Sequence, residues 1–362
     1  MARALQLAER GLYSTDPNPR VGCVLVRDGV IVGEGWHARA GEPHAEIHAL
    51  RAAGERARGA TVYVTLEPCC HHGRTPPCSE ALIAAGVARV VVAMQDPNPR
   101  VAGGGLAQVQ AAGIAIDSGV LAAEAEALNP GFVSRMRRGR PYVRCKLAMS
   151  LDGRTAMASG ESQWITGAHA RADVQRLRAR SSAIVTGVGT LLTDDPSLTV
   201  RLDERSAEEF RQPLRVILDT QLRMPATAKL LAQPGQTLVL TASDAAAPRV
   251  ALEQAGAEVV QMPAGAGGID LAAAMQTLAA REINEVLVEC GAVLAGGFLQ
   301  AGLIDELIVY VAPVLLGDGA RGLFHLPGLE RMDQKRALEI RDIRKVGGDW
   351  RITAVPCSPD GA

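Results

Sequence analysis

One histidine, one glutamate and two cysteines near the amino terminus could together form a hydrolytic metal site. His44-Ala45-Glu46 is followed by Pro68-Cys69 and then by Cys78. One imidazole and two thiolates give Zn²⁺ three protein ligands and leave the fourth position for water, which is typical of a catalytic zinc site. Zinc-bound water ionises near neutral pH and becomes a nucleophile. The sequence therefore predicts that His44, Cys69 and Cys78 bind zinc.

Glu46 supplies the carboxylate that such a reaction needs for proton transfer. Glu46 is two residues from His44, which is not the spacing of neighbours on one helix face. We therefore expect the metal at the amino end of a helix that begins after Pro43. His-x-Glu followed by Pro-Cys is typical of zinc deaminases, in which the glutamate acts as general acid and base. Glu46 is thus predicted to be catalytic.

Other residues between the two cysteines could also bind the metal: Cys70, His71 and His72. We favour Cys69 because it directly follows Pro68, and the two histidines are better suited to shaping a substrate loop. A different interpretation is a set of core residues or a structural zinc site, since a lone cysteine is usually a small buried hydrophobe. Glu46 argues against that interpretation, because a structural site needs no proton carrier. Two further histidines receive no function from the sequence: His37 and His48.

A second candidate site lies in the carboxy-terminal half. An apolar strand ending at Glu289 is followed by Cys290-Gly291, and a segment containing Gly296 and Gly297 leads into an apolar helix. A glycine-bearing turn between strand and helix presents backbone amides to a phosphate. The spacing is not the dinucleotide fingerprint, so by itself the turn is more typical of tight packing.

Alternating helix and strand patterns surround the first site and predict a layered α/β domain. Asp28-Gly29 predicts a hairpin between strands Gly22–Val26 and Val30–Gly33. The other predicted elements are helices His44–Arg58 and Ser79–Ala85 and strands Thr61–Leu66 and Val90–Met94. Turn-forming residues around 129–131 and 139–141 predict a boundary, which gives domains 1–140 and 141–357.

The second domain is predicted to be an open, largely parallel sheet. Helical patterns such as Ala170–Arg180 and Leu271–Arg281 lie between several of its strands. The predicted strands are Val143–Met149, Ala183–Val188, Arg215–Asp219, Thr237–Thr241, Glu258–Met262, Glu285–Glu289 and Glu306–Val311.

Composition excludes several classes of protein. The net charge of −1 argues against a large basic surface for nucleic acid. No apolar run approaches the roughly 20 residues that span a bilayer, so we expect no membrane partner. The seven cysteines are odd in number and no export signal precedes them, which predicts a cytoplasmic protein without a disulfide framework.

Several longer motifs resemble the bifunctional deaminase–reductase family of riboflavin biosynthesis, and the resemblance covers nearly the whole chain. In the first half they are Pro17–Gly22, Gly41–Glu46, Thr65–Cys69 and His71–Cys78. In the second half they are Lys146–Arg154, Ser162–Thr166 and Thr193–Arg201. This chain departs from the family at two residues: relatives usually have serine where it has Cys70, and they often have serine where it has Thr220. Relatives also carry several more residues before the first helix, and this difference predicts a start further upstream.

The resemblance implies a cytidine-deaminase-like three-layer α/β domain followed by a dihydrofolate-reductase-like α/β domain that uses NADPH. It implies a substrate site made of Asn18 in the deaminase and of Lys146, Ser162, Arg178, Leu198, Arg201 and Glu289 in the reductase. It implies cofactor contacts from Ala148, Trp164, Thr190, Asp194, Thr220, Gly291, Ala292, Val293, Leu294, Ala295, Gly296 and Gly297. Arg178 and Arg201 are expected to bind the substrate phosphate, because a guanidinium offers a planar fork of donors.

The implied activity is deamination of 2,5-diamino-6-(5-phosphoribosylamino)pyrimidin-4(3H)-one, followed by reduction of its ribosyl group to ribityl. A nucleoside or tRNA deaminase with an accessory domain is the alternative enzyme, and it leaves more than half the chain unexplained. A pyrimidine-binding protein that has lost catalysis is the alternative outside the enzymes. The expected binding partner is this small-molecule substrate. The sequence is compatible with a homo-oligomer and leaves the oligomeric state open.

Overall fold

The computed structural model of the protein describes residues 1–72, 76–202, 210–265 and 267–357. The chain divides into two compact units, Met1–Arg140 and Pro141–Ala362. Within the described parts of the chain, no helix is long and apolar enough to cross a membrane.

The first unit is a three-layer domain in which one mixed sheet lies between helices. Its elements are α1 (Ala2–Glu9), β1 (Gly22–Arg27), β2 (Val30–Trp36), α2 (Ala45–Ala53), β3 (Thr61–Leu66), α3 (Cys78–Ala85), β4 (Arg89–Met94), α4 (Gly104–Ala111), β5 (Ala115–Ser118), α5 (Ala122–Leu128) and α6 (Pro130–Arg138). The sheet order is β2-β1-β3-β4-β5. The strand β1 is antiparallel to both of its neighbours, β2 and β3, whereas β3, β4 and β5 are parallel to one another.

Local sequence explains the hairpin and the end of α2. Asp28 and Gly29 both have positive φ, 52° and 78°, which matches the twist of a two-residue hairpin turn, so the predicted hairpin is confirmed. The helix predicted to reach Arg58 is shorter. The α-helix ends at Ala53, because Gly54 has a positive φ of 54°, and a 3₁₀ turn over Gly54–Ala57 follows.

The two faces of the first sheet bury different helices because successive side chains of a strand point to opposite sides. Leu25 and Val64 belong to the cluster that includes Ala49 of α2 and Leu82 of α3. Val24 packs with α1 on the other face. The helices α2 and α3 thus share one face of the sheet, and their amino ends come together next to the end of β3.

The second unit is an open sheet with helices between its strands. Its elements are β6 (Tyr142–Ser150), β7 (Arg154–Ala156), α7 (Ala168–Arg180), β8 (Ala183–Gly187), α8 (Val188–Asp194), β9 (Leu214–Leu218), β10 (Thr237–Thr241), α9 (Ala246–Gln254), β11 (Ala257–Gln261), β12 (Ala264–Gly265), β13 (Gly268–Ile269), α10 (Leu271–Ala280), β14 (Glu285–Glu289), α11 (Ala292–Gln300), β15 (Glu306–Ala312), β16 (Arg321–Gly322), β17 (Leu338–Val346) and β18 (Asp349–Pro356). Short 3₁₀ helices occupy Lys229–Ala232 and Met332–Gln334.

The main sheet of this unit has nine strands in the order β11-β10-β9-β8-β14-β6-β15-β18-β17. The first seven strands in this order, β11, β10, β9, β8, β14, β6 and β15, are parallel to one another. They correspond to the seven predicted strands, so the largely parallel sheet is confirmed. The antiparallel strands β17 and β18 were not predicted. All but the last residue of β17 is exposed, so this strand lacks the buried face that gives a strand its alternating pattern.

Candidate active sites

The three predicted zinc ligands come together in the first unit. His44 is the residue that caps α2, Cys69 follows β3, and Cys78 is the first residue of α3. The Nδ1 atom of His44 lies 3.5 Å from Sγ of Cys69 and 3.3 Å from Sγ of Cys78. Zinc–nitrogen and zinc–sulfur bonds of normal length at a tetrahedral angle would place these atoms about 3.6 Å apart. The donor set therefore fits a zinc ion.

The pKa values of the two thiols also suit a metal site. The hydrogen bond from Cys78, and the nearby His44 imidazole, lower the pKa of Cys69 to about 4 despite its burial. The same contact with Cys69, together with burial, raises the pKa of Cys78. The pair thus holds one thiolate ready in the protein itself, and the second proton would leave when a cation binds.

Glu46 lies beside these ligands in the first turn of α2. The side chain is buried, and its Oε2 atom has no hydrogen-bond partner among the described residues. Burial raises the pKa of Glu46 to about 7, although the His44 imidazole opposes the shift. A buried carboxyl with a pKa near neutrality can both accept and release a proton at physiological pH.

The competing ligand candidates lie outside this cluster. Within the described residues, His44, Cys69 and Cys78 form the one group of side chains that could hold a metal. Cys70 instead faces α4, since a side chain at Gly104 would contact its sulfur. His71 and His72 are exposed, and the loop residues 73–75 that follow lie outside the described residues.

Sequence reasoning missed two buried residues of this site. His37 has no assigned role in the sequence, yet its ring lies edge-on to the His44 ring with centroids 5.2 Å apart. The Nε2 atom of His37 is 3.0 Å from the Nδ2 atom of Asn18. The predicted pyrimidine-binding Asn18 is thereby connected to the zinc ligands.

The second missed residue is Glu67, whose carboxylate binds backbone N–H groups of the loop between β4 and α4 and of the first turn of α4. Oε2 accepts hydrogen bonds from the backbone N–H groups of Asp96 and Gly103 at 3.1 and 3.0 Å. Oε1 accepts from Gly105 and Leu106 at 3.0 and 3.2 Å. A Cβ atom at Gly105 would approach the carbonyl oxygen of Pro68 to 1.9 Å, so the first turn of α4 packs directly against the segment that carries Cys69.

Three of the predicted substrate residues of the second unit, Lys146, Arg178 and Glu289, lie together at the carboxyl end of β14. Lys146 is the register partner of Glu289 on the neighbouring strands β6 and β14. Arg178 of α7 holds both carboxylate oxygens of Glu289, at 2.6 Å from Nε and 2.9 Å from Nη2. Its Nη1 donates to the carbonyl of Thr199 at 3.1 Å. The guanidinium therefore uses three of its five N–H groups inside the protein.

The buried charges of this cluster stabilise one another. The neighbouring Arg178 and Lys146 lower the pKa of Glu289, although its burial acts in the opposite direction. Burial lowers the pKa of Lys146, and the carboxylate of Glu289 partly offsets that effect. The site thus places a buried amine whose pKa is lowered next to a buried carboxyl whose pKa is also lowered.

The expected phosphate turn differs from the prediction. Glycines up to Gly297 were expected to form it, but the helix α11 already begins at Ala292 and Gly291 is its capping residue. Gly296 lies inside the helix, where a Cβ atom would approach the carbonyl oxygen of His325 to 2.1 Å. That glycine therefore allows close packing, and the turn itself is limited to Cys290 and Gly291.

The remaining candidates of the second unit lie on different elements. Ala148 is on β6, Thr190 and Asp194 are on α8, and Thr220 follows β9. Trp164 is 71% exposed, and the guanidinium carbon of Arg171 lies 4.7 Å from its ring centroid. The substrate candidates divide by exposure: Ser162 is half-buried, Leu198 is buried and Arg201 is exposed.

The fold and the first site define a zinc-dependent deaminase domain joined to a second α/β domain. Residues 1–94 match the cytidine and deoxycytidylate deaminase zinc-binding region, and residues 141–352 match the RibD C-terminal domain. The chain is 56% identical to the riboflavin biosynthesis protein RibD of Escherichia coli, over 96% of each chain. It is 50% identical to that of Haemophilus influenzae, over 98% of this chain and 96% of the relative.

Solved structures agree with these matches. Acinetobacter baumannii RibD is 49% identical with a TM-score of 0.92, over 98% of this chain and 97% of that one. A Thermotoga maritima protein described as a diaminohydroxyphosphoribosylaminopyrimidine deaminase/5-amino-6-(5-phosphoribosylamino)uracil reductase is 33% identical, with a TM-score of 0.87 and coverage of 99% and 97%.

The chain belongs to the RibD family of bifunctional riboflavin-biosynthesis enzymes, which have a deaminase and a reductase domain. The predicted fold class and the predicted cofactors, Zn²⁺ and NADPH, are confirmed. The nucleoside or tRNA deaminase is not favoured, because the relatives match both halves of the chain.

Proposed function

We propose that residues 1–140 deaminate 2,5-diamino-6-(5-phosphoribosylamino)pyrimidin-4(3H)-one to 5-amino-6-(5-phosphoribosylamino)uracil, and that residues 141–357 reduce the ribosyl group of this product to ribityl with NADPH. The observation that carries the proposal is the cluster of His44, Cys69 and Cys78 with the buried carboxyl of Glu46 beside it. The activities named for the Thermotoga maritima relative support the choice of these two compounds.

In the deaminase site His44, Cys69 and Cys78 hold the zinc. Bound zinc would supply a water that ionises near neutral pH. Glu46 takes the proton from the attacking water and delivers it to the departing amino group, for which a pKa of about 7 is well suited. The amide of Asn18 hydrogen-bonds the pyrimidine ring and sets its orientation.

In the reductase site the substrate lies against Lys146, Ser162, Arg178, Leu198, Arg201 and Glu289. NADPH would supply the hydride to C1′ of the opened ribosylamine. Lys146 and the Glu289 carboxylate, which are register partners on neighbouring strands, line the substrate next to that carbon. Arg178 fixes Glu289, and the N–H groups that Arg178 does not use inside the protein bind the phosphate together with Arg201.

Two groups of residues in the second unit would hold the cofactor. The first comprises Ala148, Trp164, Thr190, Asp194 and Thr220. The second is the amino end of α11, with Gly291, Ala292, Val293 and Leu294. The first backbone N–H groups of a helix lack partners within it, which makes this end suitable for a cofactor phosphate.

The partner is a small molecule, and we expect no nucleic acid partner because the net charge is −1. All seven cysteines are free thiols, which supports a reducing compartment such as the cytoplasm. A homo-oligomer is supported by exposed apolar side chains on the edge strand β17, among them Ile340 and Ile343.

The experiment that tests the proposed function uses the zinc-loaded protein with the diaminopyrimidine substrate and NADPH. Ammonia release and loss of NADPH absorbance are followed in the same sample. We expect ammonia first and NADPH oxidation after it, because reduction acts on the deaminated product. Release of ammonia from cytidine but not from this substrate would contradict the proposal.

A further inference from the structure

His37 is a buried side chain whose two ring nitrogens both have partners. It is 2% exposed and directly follows β2. Its Nδ1 atom lies 3.2 Å from the carbonyl oxygen of Pro43, the residue before the zinc ligand His44. Its Nε2 atom lies 3.0 Å from the side-chain amide of Asn18. One imidazole thus connects the segment that carries Asn18 to the segment that carries His44.

These partners determine which tautomer of the ring is present. A carbonyl oxygen only accepts hydrogen bonds, so Nδ1 of His37 must carry the hydrogen that is donated to Pro43. In a neutral imidazole the other nitrogen is then an acceptor. Asn18 must therefore present its Nδ2 group to His37, because its Oδ1 atom cannot donate. Any other orientation of the Asn18 amide would place two acceptors against each other.

The orientation of the amide decides what Asn18 can recognise. With Nδ2 directed at His37, the oxygen Oδ1 is on the opposite side of the amide. That oxygen accepts hydrogen bonds from N–H or NH₂ groups, which an aminopyrimidine ring carries. A flipped amide would present donors to the same groups and repel them.

We propose that His37 is a positioning residue for the deamination: it fixes the side-chain amide of Asn18 so that Oδ1 accepts from the pyrimidine. The inference rests on the proposed function, in which Asn18 binds the ring. The ring nitrogens of His37 have no hydrogen bond left for the substrate, since they are occupied by Pro43 and Asn18. Its contribution is to substrate orientation and not to proton transfer.

Two substitutions of similar chemistry separate the two contacts of the ring. The amide of glutamine reaches about as far as Nε2 of an imidazole, whereas that of asparagine reaches only about as far as Nδ1. His37→Gln can therefore still offer an acceptor to Asn18, and His37→Asn can keep only the contact with Pro43. We expect His37→Asn to lower the deaminase kcat/KM roughly ten- to a hundredfold, mainly through KM, and His37→Gln to lower it severalfold at most.

The test is a double-mutant cycle with Asn18→Ala, with zinc content measured for every variant. All variants should retain zinc at the level of the unaltered protein, because neither residue is a ligand. In the Asn18→Ala background, His37→Asn should cause no further loss, since the residue it acts through is gone. Losses that multiply in the double variant, or equal losses in His37→Gln and His37→Asn, would overturn the inference.

Two further results distinguish this inference from the proposed function. If the unaltered protein releases no ammonia from the diaminopyrimidine, the proposed function fails and the inference fails with it. If the unaltered protein is active and Asn18→Ala is equally active, the assignment of Asn18 is wrong and His37 has no amide to position, while the deaminase activity stands.

Discussion

Replacing Glu46 by glutamine should remove a pH-dependent loss of stability from the zinc-free protein. Burial raises the pKa of Glu46 from its ordinary value of 4.5 to about 7. The folded state therefore holds this proton more tightly than the unfolded state does. The resulting stabilisation is fully present below the unfolded pKa and is lost as the pH rises through the folded pKa.

The magnitude follows from the shift. One pKa unit corresponds to about 1.4 kcal/mol, so the free energy of unfolding should fall by about 3 kcal/mol between roughly pH 4 and pH 8. Solvent screening should not reduce this free energy, because Glu46 is only 3% exposed. Glutamine has no proton to lose, so the Glu46→Gln protein lacks this decline. The difference in stability between the two proteins should increase with pH in the same window.

Urea denaturation of chelator-treated protein measures this difference. Trp36 reports on the first unit when Trp164 and Trp350 are replaced by phenylalanine in all samples. Glu42→Gln is the matched control: it removes an exposed carboxyl two residues before His44, as Glu46→Gln removes a buried one two residues after it, and it should not reproduce the pH-dependent difference in stability. A difference for Glu46→Gln that stays constant or shrinks as the pH rises would refute the reasoning.

Three other outcomes are expected. Cys69→Ser should lower the zinc content, measured by atomic absorption, well below one ion per chain, whereas Cys70→Ser next to it should leave the content unchanged, because Cys70 lies outside the cluster. Arg178→Ala should lower the reductase kcat/KM roughly ten- to a thousandfold and leave deamination unaffected, because Glu289 loses its partner and the phosphate loses a donor. Arg176 is exposed on the same helix, so Arg176→Ala should have little effect. Glu67→Gln should lower the free energy of unfolding by about 2–5 kcal/mol in urea titrations. The NH₂ group of glutamine would face backbone N–H groups that now donate to the carboxylate, and two donors cannot pair. An unchanged urea midpoint would contradict this role of Glu67.

The sequence predicted those parts of the fold whose signals are local. The Asp28-Gly29 hairpin forms, and the buried parallel strands of the second unit lie within a residue or so of the predicted ranges. The strands β17 and β5 have mostly exposed side chains and therefore no hydrophobic alternation by which to find them. The phosphate turn was extended too far because glycine serves close packing as well as tight turns, and Gly296 does the former.

The candidate site was predictable to the extent that its residues carry recognisable chemistry. The sequence placed His44, Cys69 and Cys78 together by ligand type and spacing, and the structure brings them within contact distance. Glu67 and His37 carry no such signal. The partners of Glu67 are backbone groups 29 to 39 residues away, and Asn18 is 19 residues from His37, so only the folded chain shows these contacts.

The most direct test of the two-site account gives the Glu46→Gln protein each substrate in turn, with NADPH present. Offered the diaminopyrimidine, it should keep its zinc, release no ammonia and oxidise no NADPH, because the carboxyl that moves the proton is missing. Offered 5-amino-6-(5-phosphoribosylamino)uracil, it should oxidise NADPH at the rate of the unaltered protein, because Lys146, Arg178 and Glu289 lie in the other unit. Full ammonia release in the first case, or no NADPH oxidation in the second, would contradict the account.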